Sequence, residues 1–170
     1  DIGRRALGPE HVRVAQSLND LGVLHRERGN LQAAEPMLAE SLAMRRRLLG
    51  SQHPDLAITL VEWARALRGL GRVAESEAPS REALAIRKAV YGDEHHQTAT
   101  SKSDVAQVLV AKGDLAGAEP LLRENVATTE RLLGADHPNT AASKSSLGVL
   151  LTARGDPAAG EVLLRDSLEI

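Results

Sequence analysis

Cysteine and phenylalanine are absent from this 170-residue chain, and tryptophan and tyrosine occur once each. Without Cys there can be neither a disulfide nor a thiolate metal site, and the redox compartment stays open. No apolar run approaches the ~20 residues of a membrane span, and no cleavable secretory signal is visible. A soluble, cytoplasmic chain is therefore expected. An excess of one charge is also missing: 21 basic and 23 acidic residues leave a net charge of −2, with no general pull toward nucleic acid or membrane. The distribution is less even, at +3 up to Gly92 and −5 beyond it. A gradient of this kind can orient a partner along an elongated molecule.

What is present is a period. Gly8-Pro9-Glu10-His11 returns as Gly50-Ser51-Gln52-His53, Gly92-Asp93-Glu94-His95 and Gly134-Ala135-Asp136-His137, every 42 residues. Gly29, Gly71, Gly113 and Gly155 keep the same spacing, as do Glu35, Glu77, Glu119 and Glu161. A fixed period of this size marks a repeat architecture. Stacked repeats bury Leu and Ala against their neighbours, so stability is a sum of unit and interface terms and few aromatics are needed. The units are expected at 8–49, 50–91, 92–133 and 134–170, with 1–7 ending a preceding repeat helix. The column Ile2, Met44, Ile86, Thr128, Ile170 puts both chain ends inside helices, and Asp1 stands where an initiator Met would. The chain thus reads as a segment of a longer repeat protein.

Each unit reads as a helical hairpin. In the first, Leu18, Leu21, Leu24 and His25 run at helical spacing to Gly29, followed by Leu31, Leu38, Leu42 and Leu48 up to Gly50. First helices are predicted near 12–28, 54–70, 97–112 and 138–154, and second helices near 31–49, 73–91, 115–133 and 157–170. The recurring glycines suit the left-handed residue closing a helix, and Asn30, Asp114 and Asp156 can cap the next one, which Arg72 cannot. Pro54 and Pro138 suit a first helical position. Two columns of small residues, Gly22/Ala64/Ala106/Gly148 and Ala34/Ser76/Ala118/Gly160, let the paired helices approach closely. Pro36, Pro79 and Pro120 fall inside second helices, near their starts.

Leu18-Asn19-Asp20-Leu21-Gly22 followed by Gly29, Ala34, Leu38 and Ser41 resembles the tetratricopeptide consensus, and the resemblance covers the whole chain. The 42-residue length and the linkers Gly50-Ser51-Gln52-His53-Pro54 and Gly134-Ala135-Asp136-His137-Pro138 are similar to the kinesin light chain and nephrocystin type of repeat, and large bacterial regulatory proteins carry similar arrays. The resemblance implies an all-α, right-handed superhelical α-solenoid of antiparallel helix pairs. It also implies a non-catalytic scaffold that binds a peptide or partner protein on its concave side. The chain departs from the pattern where His25, Leu67, Leu109 and Leu151 replace an aromatic, and where Lys102 and Lys144 stand in a column of large apolar residues. Those lysines should loosen the core unless their stems lie along it with the ammonium in water.

First helices line the concave side of such arrays, and 3-4-3 spacing picks out the stripe they present. It comprises Gln16, Asn19, Val23 and Arg26; Ile58, Val61, Arg65 and Arg68; Thr100, Ser103, Gln107 and Val110; and Ala142, Ser145, Val149 and Thr152. Asn19 matches the family's groove asparagine, whose amide can both donate to and accept from a peptide backbone. Arg26, Arg65 and Arg68 can hold carboxylates, which points to an acidic peptide as occupant, although the same residues would also serve as a solvated face.

No catalytic constellation is expected. Phosphate-loop, nucleophile-elbow and zinc-protease motifs are absent. Four of the six histidines recur at one linker position, too far apart across stacked hairpins to share an ion, and are read as residues bonding near a helix start. His95-His96 has no metal motif around it. No metal, cofactor, nucleic acid or membrane partner is expected. Two other functions remain open: end-to-end homo-assembly through Ile2, Leu7, Leu164 and Leu168, and a regulatory segment of a larger bacterial signalling protein.

Overall fold

A computed structural model describes residues 11–169, all helix and connecting turn. The helices are α1 (Val12–Glu27), α2 (Leu31–Leu49), α3 (Pro54–Gly69), α4 (Val73–Tyr91), α5 (His96–Ala111), α6 (Leu115–Leu133), α7 (Pro138–Ala153) and α8 (Pro157–Leu168). Their ends agree with the periodicity within one residue everywhere except at α8, which stops at Leu168. The architecture is an α-solenoid of helix pairs, and the chain divides between Val90 and Tyr91 into two compact units.

Local chemistry sets these boundaries. Gly29, Gly71, Gly113 and Gly155 close the first helices at φ of 77, 78, 83 and 93°, the left-handed region that a Cβ disfavours. Each first helix is itself started by a histidine. Nδ1 of His11, His53, His95 and His137 accepts the backbone N–H two residues on, from Arg13, Asp55, Gln97 and Asn139, at 3.1 to 3.2 Å. This is the role usually taken by Ser, Thr, Asp or Asn, and it requires Nδ1 unprotonated. Asp114 and Asp156 cap through Gly117 and Ala159 as expected. Asn30 does not: at φ −81° and ψ 60° it makes no side-chain cap bond. Arg72, at the equivalent place, reaches forward to Glu75 at 2.6 Å, and that bond raises the guanidinium pKa and lowers that of the carboxylate.

In the first unit α1 packs on α2 and α2 on α3. Leu42, Leu56, Ala57, Leu60, Val61, Ala83 and Ile86 form one cluster, with Trp63 against it. Ala34, Leu38 and Ala66 form a second. A Cβ on Gly22 would meet Leu38 at 2.6 Å, so the small column is a steric requirement. In the second unit α5 packs on α6, α6 on α7 and α7 on α8, around Val105, Val108, Ala118, Leu122, Leu147 and Leu150. Gly148 and Gly160 meet there, and a Cβ on Gly148 would stand 2.9 Å from the Gly160 carbonyl.

The two unexpected lysines do not open this core. Lys102 lies with its stem buried and its ammonium 2.9 Å from Glu124 and 3.6 Å from Asp93. Lys144 reaches Glu130 at 3.0 Å and Asp166 at 3.8 Å. The bond to Glu130 raises the Lys144 pKa above its ordinary value. Each ammonium thus finds carboxylates at the end of a buried stem, a stronger partner than the water expected from the sequence.

Candidate partner-binding faces of the first helices

In the first unit the floor between α1 and α3 is filled by an arginine from α2. Arg45 is 1% exposed. Its Nη1 donates to the Asp55 carbonyl at 2.5 Å and to Thr59 Oγ1 at 2.9 Å, and its Nη2 donates to Gln16 Oε1. Burial pushes its pKa down, opposed by Asp55 and Asp20. Thr59 Oγ1 in turn donates to Asn19 Oδ1 at 3.0 Å, and Asn19 Nδ2 donates to Asp20 at 3.3 Å. Gln16 Nε2 also donates to Asp20, at 2.6 Å.

This network accounts for the predicted site residues of α1. Gln16 is exposed, but its carboxamide is engaged at both ends. Asn19 is only 4% exposed and its carbonyl is taken by Thr59, so the amide expected to read a peptide backbone is turned to a neighbouring helix. Val61 is a correction. At 3% exposure it belongs to the core cluster with Leu42 and Ile86 and has no surface to offer. Ile58 is exposed, and Val23, Arg65 and Arg68 are half-buried. Arg26 and Arg65 share one carboxylate: Glu62 receives Arg26 Nε at 2.8 Å and Arg65 Nη1 at 3.0 Å.

In the second unit the same positions are open. A cleft of about 220 Å³ lies between α5 and α7 and is floored by α6. Thr100, Ser103 and Gln107 line it, the three site residues predicted on α5, together with Asn125 and Thr129 of α6 and Asn139, Ser143 and Ser146 of α7. Thr100 and Gln107 are exposed and Ser103 half-buried. Gln107 Nε2 reaches Ser103 Oγ only at 3.5 Å. Thr129 stands at the repeat position of Arg45 and Ser143 at that of Thr59. Their hydroxyls bond at 2.9 Å, which leaves the volume filled by the guanidinium in the first unit unfilled here. Asn125, 5% exposed, occupies the column of Ser41, Ala83 and Ser167. Its carboxamide has no hydrogen-bond partner among the described residues. No Asp, Glu, Lys or Arg lines the cleft.

Models of the tetratricopeptide repeat match residues 14–55, and again 55–124 and 101–170. The chain belongs to the tetratricopeptide repeat family. Among solved structures it is similar to the nearly identical TPR-like repeats assigned to a Podosopora anserina kinesin light chain. Identity is 27% over 94% of this chain and 76% of that one, with a TM-score of 0.84. A point variant of the same protein gives 27% identity over 99% and 79%, with a TM-score of 0.85. BtubC (BKLC) from P. vanneervenii is 25% identical over 99% of this chain and 68% of its own, with a TM-score of 0.81. No curated protein matches the chain in sequence.

Tetratricopeptide repeats mediate protein–protein interaction, and the kinesin light chain-like fold is typically a non-catalytic scaffold. No three His, Asp or Glu side chains among the described residues gather into a metal-holding set. No helix there is long and apolar enough to cross a membrane. Of the residues singled out for end-to-end stacking, Leu164 is half-buried and Leu168 is 85% exposed, while Ile2 and Leu7 lie outside the described residues.

The residues that shape these tetratricopeptide faces from below, Arg45, Asn125 and Thr129, sit on second helices and escaped a reading confined to first helices. A signal was available in two columns. The first reads Arg45, Arg87, Thr129 and the second Ser41, Ala83, Asn125, Ser167, so each column changes chemistry at the unit that carries the cleft.

Proposed function

We propose that the chain is a protein-interaction scaffold that holds a peptide or partner protein along the side lined by its first helices, the concave side of such arrays. The observation that supports it best is the cleft between α5 and α7, whose α5 wall is made of Thr100, Ser103 and Gln107. In the first unit, taken by itself, Val23 and Arg26 on α1 and Ile58, Arg65 and Arg68 on α3 are half-buried or exposed. An acidic segment must compete with Glu62 for Arg26 and Arg65. The groove therefore selects for partners that offer more than a single carboxylate.

The test is capture from source-cell extract by the wild-type chain beside Ile58→Glu/Arg65→Glu/Thr100→Glu/Gln107→Glu, which alters first helices of both units, both checked for equal helicity. A partner held by wild type and lost by the variant supports the first-helix side. Equal capture by both places binding elsewhere. End-to-end homo-assembly is a second reading, favoured by the exposure of Leu168. A mass that rises with concentration, and falls on Leu168→Glu, distinguishes it.

A further inference from the structure

The cleft of the second unit has a composition that selects one kind of side chain. Its volume of about 220 Å³ is below the ~300–1,000 Å³ of a site for a drug-sized molecule. It suits a single side chain of a polypeptide that lies across the helices. A carboxylate or ammonium placed there would lose hydration without meeting an opposite charge, since the lining is hydroxyl, carboxamide and hydrocarbon with only His96 titratable. An aliphatic side chain would seal the Asn125 carboxamide away from water with neither end bonded. A carboxamide avoids both costs, because it donates and accepts at once and so matches the unpartnered N–H and C=O of Asn125. Its methylene stem would pass Leu133 and Ala142 on the walls.

We infer that this cleft is a specificity pocket for a neutral carboxamide, an Asn or Gln side chain of the bound partner, read by Asn125. The inference rests on the interaction-scaffold reading given above. The first unit supplies the contrast: there Arg45 fills the equivalent space and places its own donors on Gln16 and Thr59. Specificity is thereby confined to the second unit, by the exchange of one long side chain for a short one. Asn125 replaces the small residue of its column and lines the cleft, where water or a bound group is left to pair its carboxamide.

The experiment is selection from a random dodecapeptide display library on the wild-type chain. Selected peptides are then assayed as synthetic peptides on Asn125→Ser and Thr129→Arg. Asn125→Ser restores the residue found at Ser41 and Ser167, so it keeps the fold even if Thr129→Arg does not. Selected peptides are expected to share an Asn or Gln at one position. Changing that residue to Asp or Glu should weaken binding on the order of tenfold, and Asn125→Ser should do the same. Three results overturn the inference: peptides with no shared carboxamide, peptides whose affinity survives Asn125→Ser, and no selection at all. Peptides lost on Arg65→Glu/Arg68→Glu but kept by Asn125→Ser would sink the pocket while leaving the scaffold reading intact. Failure of the scaffold reading itself appears separately, as equal partner capture by wild type and the first-helix variant.

Discussion

Thr129 and Ser143 hold their hydroxyls 2.9 Å apart at the two repeat positions where Arg45 and Thr59 meet, also at 2.9 Å, in the first unit. The contact distance is conserved between the units while the volume is not. One pair fills the floor between successive first helices, and the other leaves a cleft. Two units whose first helices have the same length therefore present a closed and an open version of one surface.

Arg45 should be a large single contributor to the first unit. Arg45→Met keeps much of the volume but removes the donors to Asp55, Thr59 and Gln16. The expected loss is about 1–3 kcal/mol in urea unfolding. A midpoint equal to wild type would mean that the network is dispensable.

The close approach of α5 and α6 predicts an overpacking penalty. Ala118 is fully buried, and Ala118→Leu should cost roughly 1–3 kcal/mol. Ala116→Leu, two residues earlier on an exposed position, should leave the melting temperature nearly unchanged. Equal effects from both would contradict the packing described.

The histidine caps make a third prediction. His137→Ala removes the acceptor for the Asn139 N–H and should destabilise by about 0.5–2 kcal/mol, whereas His137→Asn should recover most of that. Thermal unfolding of the two variants separates a capping role from a linker role in which any residue would serve.

Lys144 gives the chain an alkaline limit. Its pKa is raised in the folded state by the bond to Glu130, so its contribution is complete below the unfolded value of ~10.4. That contribution is lost as pH climbs through the higher folded value. Melting temperature should fall more steeply between pH 9 and 11.5, as assay points, for wild type than for Lys144→Gln. Parallel curves would show that the ammonium contributes nothing.

The helices were legible in the sequence because their ends are set by local chemistry. A glycine with positive φ and a histidine whose own side chain bonds two residues on need no tertiary partner, and both recur in register. The sequence misled where a side chain's direction depends on its neighbours. Asn30 has the identity of a cap but a backbone angle that makes no side-chain bond. Val61 shares a surface stripe by spacing, yet it lies in the core. Its apolar identity, beside Asn19, Ser103 and Ser145 in that column, was the available hint. The cleft itself was out of reach of a first-helix reading, because its depth is decided by the length of the residue at position 129 on α6.

The central claim is that a partner lies against the first helices, and site-specific photo-crosslinking measures this directly. A photoreactive residue is placed at Ile58 or Thr100, exposed on α3 and α5, and in parallel at Ala43 or Ala127, exposed on α2 and α6. Crosslinks to the captured partner from Ile58 and Thr100, with none from Ala43 and Ala127, are the predicted result. Crosslinks from Ala43 and Ala127 alone would place the partner on the second helices and contradict the account.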